Sequence, residues 1–198
     1  GHREQSVWWE DPPHPYTFED PIGFFHEEEF RQVDRLISEC REYGIRMIIC
    51  LGVPANYFAE FGDWEFYASD SAREAYLNRI RQCLLRIHSE SGIMWKDIDD
   101  AIWAWEIANE PGINLKGKNS HSSEETTALL RSWLNLCAST ISALDPDTLI
   151  SIGTAGYSRY YGYNCGDDLL ALGNVPQADI YTLHFYGGDL SRWIQEAK

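Results

Sequence analysis

The sequence predicts an α/β fold, a (β/α) barrel of which the chain carries an interior stretch. Three observations predict it. Short apolar runs are hydrophobic on both alternating faces, amphipathic helical stretches separate them, and two of those helices open with the same Ser-x-x-Glu pattern. Strand followed by helix, several times over, implies parallel strands with helices outside, because each crossover returns the chain to the same end of the sheet. A closed eight-unit barrel takes about 250 residues. This chain has 198, so units are expected to be missing at both ends. An open doubly wound sheet satisfies the same alternation, and strand order separates the two.

The elements follow in order. A candidate strand lies near Gln5 to Trp9. The first helix carries the stripe Phe30, Val33, Leu36, Ile37, Cys40 and Tyr43, with Gly44 after it as the left-handed closing residue. Ile45 to Leu51 reads as a strand buried on both faces. The second helix opens at Ser71-x-x-Glu74 and places Tyr76, Ile80, Cys83, Leu84 and Ile87 on one face. Ala101 to Ile107 is the next strand. The third helix opens at Ser122-x-x-Glu125, carries Leu129, Leu130, Trp133, Leu134, Cys137, Ile141 and Leu144, and stops at Asp145-Pro146. Thr148 to Gly153 and Asp179 to Tyr186 are two further strands, and a helix starts near Leu190. No linker or low-complexity tract divides residues 1–198, which read as one domain.

Composition narrows the class. A net charge of −15 argues against a nucleic-acid or anionic-membrane partner. No apolar run reaches the ~20 residues of a membrane helix. The eight Trp, eleven Tyr and eight Phe suit stacking against sugar rings, although a core can absorb most of them. Five cysteines form no C-x-x-C pair or zinc spacing. Cys40, Cys50, Cys83 and Cys137 fall at apolar positions of predicted elements, whereas Cys165 sits in a loop open to disulfide formation. No metal or cofactor is expected.

Chemistry concentrates at two strand ends. Ala101-Ile-Trp-Ala-Trp-Glu-Ile-Ala-Asn-Glu-Pro111 is an apolar, aromatic-rich run ending in Asn109-Glu110-Pro111, and Pro111 cannot continue the ladder. Glu110 therefore stands at the carboxyl end of a buried strand, where parallel α/β folds place their chemistry. A carboxyl walled there by Trp rings is a candidate proton donor with a raised pKa. Glu106, within the strand, is expected to serve a structural network. At the second strand end, His184 and Tyr186 share one face of Thr182-Leu-His-Phe-Tyr186 and can bind hydroxyls or orient a nearby carboxylate.

Other signals are weaker. Gly112 to Asn119 nearly matches a phosphate loop, but Asn119 replaces the hydroxyl that meets Mg²⁺ and the next helix starts only after Ser122. Gly153-Thr-Ala-Gly156 is too sparse for a dinucleotide fingerprint. Asp97, Asp99 and Asp100 read as a solvated turn rather than a calcium loop. Trp8, Trp9, Tyr57, Phe58, Trp64 and Tyr157 to Tyr163 lie near strand ends or the loops after them, where aromatic rings can stack on sugars, although any single one of them reads first as packing.

The run Trp105-Glu-Ile-Ala-Asn-Glu-Pro111 resembles the fourth-strand motif of clan A glycoside hydrolases, in particular glycoside hydrolase family 5. Phe66-Tyr67, Ile93 to Asp97, Leu144 to Asp147, Ser151 to Gly153 and Thr182 to Tyr186 resemble successive segments of its endo-β-1,4-mannanases, collinear over most of the chain. The resemblance implies a (β/α)₈ TIM barrel, here units three to six, and retaining hydrolysis of a β-linked polysaccharide. It implies Glu110 as general acid/base, Asn109 on the sugar 2-hydroxyl, His184 and Tyr186 lining the site, and Tyr186 orienting the nucleophile. Trp8 and Trp9 would contribute to substrate binding. The family's nucleophile is a Glu on strand seven, which has no counterpart in this chain, so the piece by itself is expected to be inactive. Gly112 stands where mannanases usually have Arg, and Gly187 where they usually have Pro. Mannan is the expected polymer, met outside the cell. A β-1,4-glucanase and a non-catalytic carbohydrate-binding barrel remnant are the alternatives.

Overall fold

A computed structural model describes residues 18–113, 121–156, 166, 167, 172, 173, 175–182 and 184. Helix α1, Glu27–Tyr43, begins with Glu27, Glu28 and Glu29, whose charges suit the positive end of the helix dipole. It ends at Gly44, whose φ of 66° is the left-handed turn the sequence anticipates. Its buried stripe is narrower than the apolar pattern. Phe30, Ile37 and Cys40 are covered, whereas Leu36 and Tyr43 are exposed. Part of the inner face belongs to Asp34, wholly buried because Arg86 and the Trp95 indole hydrogen-bond to its carboxylate at 2.6 and 2.7 Å.

Strand β1, Met47–Cys50, is followed by a 3₁₀ turn over Pro54–Tyr57 and the short helices α2, Phe58–Phe61, and α3, Asp63–Ala68. These elements are too short to show a helical period in sequence. Tyr57, one of the aromatics open to stacking or packing, is core: it is buried and packs on Phe66 and Tyr76. Helix α4, Asp70–Leu84, is capped by Ser69 rather than by Ser71. Ser69 has extended backbone and its hydroxyl accepts the Ala72 N–H at 3.3 Å, which leaves Ser71 inside the first turn. Ile87 lies past the helix end and is exposed.

Strand β2, Ile102–Glu106, precedes helix α5, Ser123–Leu144, which carries the full capping box between Ser122 and Glu125. Strand β3 spans Leu149–Ser151. Trp133 of α5 meets Phe66, Tyr67 and Tyr76 at centroid distances of 5.7, 5.3 and 5.0 Å, locking α3, α4 and α5 into one aromatic layer.

The sheet order is β1-β2-β3, all parallel, so spatial order follows chain order with no switch point. That progression is the one a (β/α)₈ TIM barrel requires, and these strands show no reversal of order of the kind that marks the middle of a doubly wound sheet. Register aligns Ile49, Trp105 and Ile150 on the buried face and Cys50, Glu106 and Ser151 on the other. A parallel bridge from Ser151 to Ile180 continues the sheet. Among the described residues the expected strand from Asp179 is reduced to that bridge, and Asp179 spends its carboxylate on the Ile150 N–H at 2.9 Å. The candidate strand at Gln5 to Trp9 and the helix from Leu190 lie outside the described residues.

Among the described residues no helix is long and apolar enough to cross a membrane. Cys40, Cys83 and Cys137 are buried free thiols and Cys50 is half-buried, while Cys165 lies outside the described residues.

Candidate active site

The backbone beyond β2 is held from both sides. The Asn109 N–H donates to the Gly52 carbonyl at 2.8 Å on the β1 side, and the Glu110 N–H donates to the Gly153 carbonyl at 2.8 Å on the β3 side. The Tyr76 hydroxyl donates to the Ile107 carbonyl at 2.7 Å just below. The sheet therefore ends its regular ladder at Glu106 but still fixes every turn of the chain up to Glu110. Glu110 sits at φ 47°, a left-handed conformation uncommon for a residue with a side chain. Such a conformation persists where surrounding bonds over-determine it, and it aims the side chain off the strand's line.

Two glycines make this arrangement possible. A Cβ on Gly153, itself at φ 71°, would stand 1.8 Å from the Ala108 carbonyl oxygen, so only glycine lets β3 approach the end of β2 this closely. A Cβ on Gly52 would meet the Arg79 Nε at 2.8 Å. Arg79 donates to the Leu51 carbonyl and, at 2.9 Å, to the buried Glu19 carboxylate, which fixes the end of β1 from beneath. Gly153 shows no dinucleotide chemistry; its missing side chain makes room for β2.

His184 is brought against Glu110 across the sheet. Its ring Nδ1 lies 2.8 Å from Glu110 Oε1, and its backbone N–H donates to the Ala155 carbonyl at 3.1 Å. The Glu110 and His184 side chains keep 21% and 25% of their surface exposed, enough to meet a ligand. Asn109 is half-buried beside them. Tyr186, Trp8 and Trp9 lie outside the described residues.

Glu106, expected to be largely buried in a structural network, is half-buried and receives the Ser151 hydroxyl at 3.4 Å. The neighbouring Cys50 thiol is pushed up to about 12 by burial, which its bond to the Gly52 carbonyl offsets in part and the Glu106 charge reinforces. The expected Trp wall around Glu110 is corrected for Trp105. That ring is wholly buried on the opposite face, and its indole N–H donates to Asp145 at 2.7 Å. Trp64 stacks on His121 with centroids 3.5 Å apart, joining the segment after β1 to the start of α5.

Of the near-match to a phosphate loop, only Gly112 and Ile113 are described. The Tyr67 hydroxyl donates to the Gly112 carbonyl at 3.1 Å and receives the Gly112 N–H at 3.0 Å, and residues 114–120 lie outside the described set. Asp97 and Asp100 are exposed partners of Lys96 and Arg41. Among the described residues no group of three His, Cys, Asp or Glu side chains is placed to hold a metal. The sequence reading missed Gly52, Gly153 and Tyr67; the isolated glycines two residues past each strand were the available signal for the first two.

The family described as GH family 5 beta-mannosidase-like matches residues 53–186. The chain belongs to glycoside hydrolase family 5. The family 5 match runs from the turn after β1 past His184, so Asn109, Glu110, His184 and Tyr186 all fall inside it. Mannan endo-1,4-beta-mannosidase 1 of Arabidopsis thaliana is 28% identical over 83% of this chain and 43% of its own length. The endo-1,4-beta-mannanase of Rhizomucor miehei superposes with a TM-score of 0.73 at 26% identity, covering 87% of this chain and 56% of that one. The endo-beta-1,4-mannanase of Thermotoga petrophila agrees in fold, with a TM-score of 0.68 at 23% identity over 82% of this chain and 40% of that one. The family 5 chain thus spans less than half the length of the curated relatives it matches.

Proposed function

We propose that the chain forms part of the catalytic barrel of an endo-acting, retaining β-1,4-mannanase in which Glu110 is the general acid/base. The observation that carries the reading is the Glu110–His184 contact of 2.8 Å at the carboxyl edge of a parallel sheet, with Glu110 backbone held by Gly153. Retaining hydrolysis needs a second carboxylate about 5–5.5 Å from the first. We assign that nucleophile to the part of the relatives' length that this chain does not span.

In the first half-reaction the nucleophile attacks the anomeric carbon as the bond to the bridging oxygen breaks, and the Glu110 carboxyl gives its proton to that oxygen. In the second, the Glu110 carboxylate takes a proton from water as the water oxygen replaces the ester at the anomeric carbon. His184 fixes the Glu110 rotamer through both steps. Asn109 hydrogen-bonds the 2-hydroxyl, Tyr186 orients the nucleophile, and Trp8 and Trp9 stack on neighbouring sugars. The names of the relatives favour mannan over glucan. A polymer of that size is met outside the cell, so the reading includes an extracellular enzyme.

The test uses the full-length protein. Hydrolysis of β-mannan exceeding that of cellulose is expected, and Glu110→Gln is expected to lower it by about 10²–10⁴-fold. Undiminished activity in Glu110→Gln overturns the assignment, and cellulose cleavage without mannan cleavage overturns the substrate.

A further inference from the structure

The backbone beyond β3 touches both members of the Glu110–His184 pair. The Gly153 carbonyl accepts the Glu110 N–H at 2.8 Å and the Ala155 carbonyl accepts the His184 N–H at 3.1 Å. Between them stands Thr154, wholly buried. Its hydroxyl donates to the Thr182 carbonyl at 3.4 Å, and the Thr182 hydroxyl donates back to the Thr154 carbonyl at 3.3 Å. This reciprocal clasp ties the two segments of the chain together between the bridge at Ile180 and the ring of His184.

We infer that Thr154 and Thr182 are positioning residues that set His184 against Glu110, and through that contact the efficiency of proton transfer to the departing oxygen. The inference rests on the reading of Glu110 as acid/base. The segment at 153–155 acts as a common ruler, since Glu110 and His184 reach the site from different parts of the chain and each is indexed to it by one backbone bond. The clasp removes the remaining freedom. Among the described residues the backbone bonds below the clasp stop at Ile180, whose carbonyl accepts the Ile152 N–H at 3.1 Å, and two side-chain bonds at position 182 hold the segment that presents the imidazole two residues later. A group that must meet a reacting atom loses rate steeply when displaced by a fraction of a bond length.

The test compares two substrates of the full-length enzyme. Mannan has a poor leaving group that requires protonation, whereas a 2,4-dinitrophenyl β-mannobioside releases a phenolate that does not. Thr154→Val keeps the shape and removes the donor. Its kcat/KM on mannan is expected to fall by about 10–100-fold, its kcat/KM on the aryl substrate to stay unchanged, and Thr154→Ser to restore the mannan rate. Thr182→Val, at a half-buried position, is expected to give the same pattern and serves where Thr154→Val fails to fold. Equal losses on both substrates, or no loss on either, overturn the positioning role when Glu110→Gln shows the leaving-group-selective loss. If Glu110→Gln lacks that selectivity, the acid/base reading itself fails and the clasp with it.

Discussion

Glu19 and Glu110 are two carboxylates that the fold sets against basic side chains, and they end in opposite situations. Glu19 has 1% of its side chain exposed, with Arg79 at 2.9 Å, the Tyr57 hydroxyl at 2.5 Å and the Gly23 N–H at 2.7 Å around it. Glu110 has 21% exposed and meets the imidazole of His184 at 2.8 Å. Burial makes an unpaired charge expensive, so Glu19 is surrounded by donors and is suited to hold the end of β1 in place. Glu110 is fixed through its backbone, which leaves the carboxyl at a surface a substrate can reach. One carboxylate is enclosed by its partners and the other is aimed. On the proposal that Glu110 is the acid/base, that difference, more than the presence of a carboxylate near a strand end, separates an architectural carboxylate from a chemical one.

The comparison breaks if the two roles can be exchanged. Glu110→Gln is expected to remove mannan hydrolysis while moving Tm little, since an amide of the same shape replaces a partly exposed acid. Glu19→Leu is expected to do the reverse, destabilising the fold by about 3–5 kcal/mol because Arg79 is left charged and buried. Thermal denaturation of the full-length protein measures it, and the paired change Glu19→Leu with Arg79→Met should recover only part of the loss, because the Tyr57 hydroxyl, the Gly23 N–H and the Leu51 carbonyl also lose their partners.

A smaller effect sharpens the same contrast in pH. Burial pushes the Asp34 carboxyl up, but hydrogen bonds from Arg86, Trp95 and Ser89 outweigh it and hold it below the usual carboxylate range. The unfolded chain therefore binds a proton at Asp34 before the folded protein does. Its stabilisation is full above the unfolded value near ~3.9 and is lost as pH falls through the lower folded value. Tm measured from pH 6 down to pH 2 should fall less steeply in Asp34→Asn than in the parent, from a lower starting point. An identical slope would remove Asp34 from the account. The smallest effect concerns Cys50, whose thiol, pushed up to about 12, is expected to resist iodoacetamide at pH 8 until the protein unfolds. Rapid native labelling, read by mass spectrometry, would show that the β1 end is less enclosed than its contacts imply.

Much of this was legible in the residues. Gly44 and the Ser122–Glu125 capping box announce their own elements because the cause is local, a left-handed turn and two orphan donors; the apolar strands are found where expected, but not buried on both faces, since Ile45, Ile48 and Trp103 are exposed. Asn109-Glu110-Pro111 marks a strand end because Pro111 cannot join a ladder, although the ladder of β2 already stops at Glu106. What stayed hidden is what long-range contacts decide. Nothing local shows that Asp34 sits in a helix's buried stripe, since its partner Arg86 is 52 residues away. Ser69 and Ser71 offer equivalent caps, and only the backbone of Ser69 selects between them. Trp105 reads as part of the site wall until the register places it on the face that meets Asp145. The role of Gly153 follows from the approach of Ala108, which no sequence pattern encodes.

The most direct test of Glu110 as acid/base uses Glu110→Ala in the full-length protein, with a 2,4-dinitrophenyl β-mannobioside and added azide. The activated phenolate leaves without a proton, the sugar remains on the nucleophile, and azide, which needs no base, displaces it. The account predicts that azide raises turnover and that the product is the β-configured mannobiosyl azide. No azide adduct, or an α-configured one, would contradict it.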